Sequence, residues 1–353
     1  RRLRQVREGG LSVAAAIRAR DAAQLPGKRD EDWRWTDLRG LIRAVPEPSA
    51  KVDGEPGPGP FDALADEVIV VANGRGAAHI DVLPGSARTV ALRILSRGDG
   101  AHAARVSISV EAGASLTLLE SYEGQGGYLS QTGLMISLGG GASLERIVLA
   151  DDTADGVTVS QADVDLAANA VMAQTTLTAG ARRQRLQTTV RHPGGHAELR
   201  LDGVYLLADK RHADLTTVVT HSGVDGVTAQ LTKGVVRDQA RAVFQGKIIV
   251  AEGADQTDGR MGHHALVLSD RAEVDAKPEL EIYADDVACA HGNTVGALDE
   301  DAMFYAEQRG MPEHVARAML TEAFVGEVID RIEHEAAREV ARAWAAERLT
   351  HGL

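Results

Sequence analysis

The feature that most limits what this chain can fold into is a short motif that returns at a nearly constant interval. Gly113-Ala114-Ser115-Leu116 recurs as Gly141-Ala142-Ser143-Leu144, then more loosely as Asn169-Ala170-Val171-Met172 and His196-Ala197-Glu198-Leu199, at steps of 28, 28 and 27 residues. Between Glu67 and Leu298 the surrounding sequence runs in short alternating segments, among them Val68 to Val71, Val106 to Val110, Leu199 to Leu201, Val204 to Leu207 and Thr216 to Thr220. Alternation with a period of two puts one apolar row on one face of an extended chain, which is the pattern of strands. Strands that return with glycine turns at a period in the twenties point to a β-solenoid, in which each rung buries its inward row only by stacking on its neighbours. Later Ala-x-Leu units at Ala213 and Ala229 lie 16 residues apart, so the period is not strict. A β-sandwich is the competing fold for such a pattern.

A stack of rungs has two open ends with unpaired backbone groups and apolar side chains, so flanking caps are expected, and helical patterns lie on both sides of the strand region. Residues 1–46 form the first, with Leu3, Val6, Val13 and Ile17 at helical spacing and Gly9-Gly10 weakening the middle, so two short helices are expected rather than one. Residues 47–66 read as a Pro/Gly linker and 67–298 as the strand core. In the helical segment 299–353, Asp299 is placed to cap a helix ending near Arg309-Gly310, and Pro312 suits the start of the next. Ala316, Met319, Leu320, Ala323, Phe324, Val328 and Ile332 then make one apolar stripe, suited to packing on the chain's own cap or to docking a partner.

Composition excludes several function classes. The formal net charge is −13, which argues against nucleic acid, because phosphate binding needs clustered cations. Residues 1–43 run the other way, with eleven Lys/Arg against six acids, a local +5 that leaves −18 for the remainder. That segment is either a basic surface for an acidic partner or a solvated helical face. Aromatic residues are 3% of the chain while glycines number 37, a balance that favours small side chains in repeated turns over a large aromatic core. No secretory apolar region and no run of eighteen apolar residues occurs, and the single cysteine fits a cytoplasmic location. Arg1 in place of an initiator Met suggests that the natural N-terminus lies upstream. No GxxxxGK[ST] is present, so ATP hydrolysis would belong to a partner. His334-Glu335-Ala336-Ala337-Arg338 departs from a zincin helix where Arg338 replaces the second histidine ligand.

The stretch from Lys277 to Asp299, KPELEIYADDVACAHGNTVGALD, holds the lone cysteine two residues before a histidine in a strand-like run. In a strand, residues i and i+2 share a face, so Cys289 and His291 present a thiol and an imidazole side by side, donors that suit zinc, iron or a nascent iron–sulfur cluster. Two ligands do not complete a tetrahedral site, and no CxxC, second cysteine or HExxH supplies the others. A metal here therefore needs ligands from another chain. The plainer reading is a buried cysteine beside a hydrogen-bonded histidine.

The block Lys277 to Ile282, with Ala284-Asp285-Asp286-Val287, Cys289-Ala290-His291-Gly292, Thr294, Gly296 and Asp299, resembles the signature of the SufB/SufD family. Phe304-Tyr305, Arg309-Gly310, Phe244-Gln245-Gly246-Lys247-Ile248, Thr257-Asp258, Leu268-Ser269 and Glu31 to Leu38 extend the similarity over nearly the whole chain. Gly292-Asn293-Thr294-Val295-Gly296 follows the SufD form, whereas SufB-like chains usually carry glutamate and alanine after the histidine. Met261 stands where SufD-like chains often have glutamine. The resemblance implies a right-handed parallel β-helix and a non-enzymatic role in iron–sulfur cluster assembly. It also implies association with a SufB-like paralogue through the C-terminal ends of the two β-helices, and docking of a SufC-like ABC ATPase on the region after Asp299. Cys289 and His291 would then supply ligands to iron or a nascent cluster shared with the paralogue and not held stably by this chain alone; a homodimer of the chain in isolation is left open by the sequence. Two alternatives remain at this point. One is a β-helix carbohydrate-active enzyme using carboxylates such as Asp285-Asp286, although neighbouring strand residues face opposite sides. The other is a metal-free structural adaptor with a buried Cys289.

Overall fold

The computed structural model describes residues 12–76 and 79–350, and Leu3 and Val6 of the expected first helix lie outside them. The strand region winds as a parallel β-solenoid whose successive strands alternate between two sheets. One sheet holds β1 (Glu67–Ala72), β3 (Ala87–Arg97), β5 (Ser115–Gln125), β7 (Ser143–Asp151), β9 (Val171–Thr178), β11 (Glu198–Leu207), β13 (Val227–Val236), β15 (Thr257–Val267) and β17 (Val287–Gly296), side by side in that order. The other holds β2 (His79–Val82), β4 (Ala101–Val110), β6 (Leu129–Leu138), β8 (Val157–Leu166), β10 (Arg183–His192), β12 (His212–His221), β14 (Arg241–Val250) and β16 (Glu273–Ile282). Every pairing between these strands is parallel, which excludes the sandwich.

The recurring motif is the turn that enters the odd-numbered strands. Its first residue takes a left-handed conformation, with φ of 65° at Gly113 and Gly141 and 59° at Asn169 and His196, so glycine suits it and short polar side chains are tolerated. The alanine that follows is buried, and two residues further on Leu116, Leu144, Met172 or Leu199 points into the core. Adjacent turns are hydrogen-bonded, Gly113 N to Gly140 O at 3.1 Å and Asn169 N to Gly195 O at 2.9 Å, so the register of the motif is the register of the stack. Ala213 and Ala229 fall on the consecutive strands β12 and β13, in opposite sheets, and their spacing of 16 is therefore part of one rung and not a break in the period.

The inward rows of both sheets fill the main core, from Val71 and Ile80 through Leu116, Leu144 and Val164 to Ala242 and Ala265. Several polar groups inside it are paired across the sheets. Tyr122 Oη meets Ser160 Oγ at 2.7 Å, Gln174 donates to Thr188 at 3.0 Å, and Thr217 donates to Gln230 at 2.8 Å.

The flanking helices correct the expectation of end caps, because they cover the outer faces of the sheets. α1 (Val13–Ala19), α2 (Leu38–Leu41) and the short 3-10 turns between them lie on the even-numbered sheet, where Val13, Ala16, Leu25 and Leu38 pack with Leu129, Val157 and Val159. Trp33 sits over the guanidinium of Arg185 at 4.5 Å, and Arg185 donates to Asp32 O at 2.6 Å and to the buried Asp214 at 2.7 Å. The Pro/Gly stretch that follows is tethered by Arg93, which donates to Gly57 O at 2.7 Å and pairs with Asp62 and Glu123. At the other end of the chain come α3 (Glu300–Gln308), capped by Asp299, then α4 (Glu313–Ile329) and α5 (Glu335–Thr350). Val325, Val328, Ile329, Ile332 and Trp344 pack on the outward Leu119, Ile147, Leu177, Val204 and Leu206 of the odd-numbered sheet. The predicted stripe is thus split. Ala316, Val328 and Ile332 are buried and Leu320 and Phe324 half-buried, whereas Met319 and Ala323 are exposed.

Candidate functional site

With the helices on its flanks, the solenoid keeps its last rung open. β16 and β17 are the final strands of their sheets, each paired on one side only. Inward residues that are buried in earlier rungs are half-buried or exposed here. An unpaired strand edge with polar and apolar groups on view is a template for another chain.

Cys289 and His291 lie on β17, opposite Gly259 and Met261 of β15. Cys289 is half-buried and packs against the apolar group of Phe244, Ile248, Val250, Ala254 and Met261 that floors the open end. A Cβ on Gly259 would stand 3.3 Å from its Sγ, so the absent side chain there gives the sulfur its seat. Burial pushes the thiol pKa up. His291 is exposed, two residues on in the same inward row, about 6.6 Å further along the strand. Next in that row is Asn293, whose Oδ1 is 2.6 Å from Nδ1 of the fully buried His263. His263 Nε2 lies 2.8 Å from Tyr205 Oη, and its ring stacks on Phe244 at 4.5 Å and 6°. Burial lowers the His263 pKa to about 4, so the ring is neutral.

The sequence profile described as "SUF system FeS cluster assembly, SufBD core domain" matches residues 93–324, the solenoid from β3 through most of α4. The chain belongs to the SufBD family. It is 28% identical to the iron-sulfur cluster assembly protein SufD of Escherichia coli over 93% of this chain and 90% of that one. It is 31% identical to a SufBD family protein of Synechocystis over 65% of this chain and 52% of that one, and 26% identical to one of Mycobacterium bovis over 90% and 88%. The branch resemblance to SufD read from the residues after His291 agrees with the first of these.

In this SufBD chain the fold brings both sequence-predicted residues to the same row of the terminal strand, as the i, i+2 spacing requires. It brings no third ligand to them, since no group of three or more His, Cys, Asp or Glu able to hold a metal occurs among the described residues. The donors fit iron or a cluster as part of a site, a soft sulfur and an imidazole at an open mouth, and not as a whole one. Asp285 and Asp286 are exposed in the bend before β17, where Asp286 binds Gln256, and they do not form a carboxylate pair across a groove. Met261 is buried in the apolar floor, as a side chain without a polar role would be. His334 serves as a helix cap, accepting from Ala337 N at 3.2 Å. The sequence reading assigns no role to Tyr205 or His263 and names Asn293 only within the Gly292 to Gly296 run. Their signal was the inward parity of each strand, legible once the register was known.

Proposed function

We propose that this SufBD-family chain acts as a SufD-like subunit in iron–sulfur cluster assembly, pairing its open terminal rung with that of a SufB-like chain and offering Cys289 and His291 to iron or a nascent cluster built between them. The observation that carries this reading is the position of a thiol and an imidazole on an edge strand whose far side is unpaired. A strand from another chain laid on β17 or β16 would satisfy the free backbone groups and deliver the missing ligands together. Iron and sulfide are cargo here. The thiol, held up in pKa by burial, gives up its proton when a metal binds, as coordinating thiols do.

The docking surface for a SufC-like ATPase, in this reading, is the exposed side of α3 and α4, where Phe304, Tyr305, Val315 and Met319 stand in solvent. Because the buried side of α4 and α5 covers the odd-numbered sheet, removing residues 299–353 would strip the core, and point changes are the better probe. Met319→Asp combined with Phe304→Ala should reduce recovery of the ATPase with the complex while far-UV circular dichroism stays unchanged; full recovery would remove this surface from the assignment.

The main test is cluster absorbance and iron content per complex purified from cells that co-express the candidate partners. His291→Ala should lose most of both with the subunits still associated, since a ligand can be removed without touching main-chain pairing. If His291→Ala and Cys289→Ser both fill like the parent, the chain is a metal-free adaptor.

A further inference from the structure

The row that presents Cys289 and His291 continues into a hydrogen-bonded chain that runs back into the solenoid and that the proposed ligand role leaves unused. Tyr205 on β11 and His263 on β15 are fully buried, and Asn293 is exposed on β17. The Tyr205 hydroxyl lies 2.8 Å from His263 Nε2, and His263 Nδ1 lies 2.6 Å from Asn293 Oδ1. Space for the phenol is made by Gly234, where a Cβ would stand 1.8 Å from the ring. The imidazole is fixed by Phe244, nearly parallel at 6°, and by the Tyr205 ring at 5.9 Å.

Hydrogen-bond directions follow from which donors and acceptors can be satisfied. The phenol has no other partner among the described residues, so its proton is paired only when it donates to Nε2. A neutral ring then carries its proton on Nδ1, which donates to Asn293 Oδ1. With its oxygen held by His263, the Asn293 amide leaves its NH2 on the side of the carboxamide away from that ring, and the residue is exposed on the last strand. No protein acceptor takes that NH2 among the described residues. Two oriented N–H bonds therefore stand in the same row as His291 and Cys289, at a mouth where the cargo would bring sulfide or thiolate sulfur.

Resting on the proposed ligand role, we infer that Asn293 is a positioning residue which donates an N–H···S hydrogen bond to sulfur of the cargo at Cys289 and His291, with His263 and Tyr205 holding its amide in the donating orientation. Hydrogen bonds to cluster sulfurs are one of the levers by which a protein tunes such a centre. The chain of three also ties the terminal strand to the rigid interior, so the donor is set before the cargo arrives.

The test uses the co-expressed complex, with three variants compared with the parent. Asn293→Ala should still take up iron and sulfide, lose the cluster to a chelator about fivefold to tenfold faster, as removal of one ordinary hydrogen bond implies, and show a smaller deuterium shift of the Fe–S stretching bands in resonance Raman spectra. Tyr205→Phe deletes only the hydroxyl that orients the chain and should move both readouts in the same direction by less. A merely structural role for Asn293 would leave the deuterium shift as in the parent. If both variants match the parent in loss rate and deuterium shift while His291→Ala loses iron, the donor assignment is wrong and the ligand reading stands. If His291→Ala fills normally, both fall. Should Asn293→Ala fail to assemble, Tyr205→Phe decides, and an unchanged deuterium shift there overturns the inference.

Discussion

The middle rungs of the solenoid and its last rung are built from the same strand pattern and treat their polar groups in opposite ways. In the middle, Glu120 and Arg146 form a bidentate pair at 2.8 and 2.9 Å with both side chains almost without solvent contact. Tyr122 donates to Glu120 at 2.6 Å, and Arg146 reaches Gln174 at 2.8 Å, so the network closes on itself. At the end, Asn293 is held on one side only, His291 is exposed, and β17 has a free edge. A closed network serves the fold. The open one, produced by the same alternation where the stack stops, is left with one side unsatisfied by this chain.

The sharpest way to break this comparison is to open the closed network. Glu120→Ala should strand the Arg146 cation in the core and cost about 3–5 kcal/mol in denaturant unfolding, as loss of one partner of a buried ion pair does. The exposed pair Arg191–Asp165 is the control, and Asp165→Ala should cost less than about 1 kcal/mol. Similar losses at the two sites would mean that the interior network is wetter than its geometry indicates.

Acid should separate the regions next. His212 and His221 are buried in the middle rungs, and burial lowers their pKa values to about 4 and about 3. A histidine depressed in the folded state binds its proton first in the unfolded chain, so stability is retained above the unfolded value near 6.5 and falls as pH drops below it. Each such group removes about 1.4 kcal/mol per pH unit between roughly 6.5 and its folded value. His221→Gln, with the stacked His192 left in place 4.2 Å away, should flatten the slope of unfolding midpoint against pH between 6 and 4. An unchanged slope would show that His221 takes up its proton as readily in the folded state as in the unfolded chain.

Much of this architecture was legible in the sequence because the solenoid repeats its chemistry. The motif at Gly113, Gly141, Asn169 and His196 encodes a backbone requirement, positive φ followed by a small buried residue, and such requirements leave a periodic trace. The Cys289–His291 row was legible for the same reason, since strand parity is local. The helices were misplaced as caps because an apolar stripe says that a face is buried without saying against what. Val325 and Ile329 would carry the same pattern on a solenoid end or a sheet flank. The Tyr205–His263–Asn293 chain needed the register of three strands of the odd-numbered sheet, separated in sequence by 58 and 30 residues, which no local period supplies.

The smallest expected effects compare glycines in the two regions. At Gly234 in β13 a Cβ would sit 1.8 Å from Cε2 of the Tyr205 ring, a contact with a buried aromatic that has nowhere to move, so Gly234→Ala should cost about 1–3 kcal/mol by overpacking. At Gly292, between His291 and Asn293, nothing stands within 4 Å of the same added atom, and the residue has no positive φ that would strain alanine. Gly292→Ala should therefore leave unfolding within about 0.5 kcal/mol of the parent. Gly292 faces outward by parity, beside the free edge, so the place to look for its cost is association. If the partner also covers the outer face of the sheet beside β17, a methyl group there meets it and weakens recovery of the paralogous partner while the isolated chain keeps its stability. Unfolding midpoints of the single chain, measured beside the yield of the co-purified complex, separate the two. Equal yields for Gly292→Ala and the parent would place the partner away from this part of the outer face.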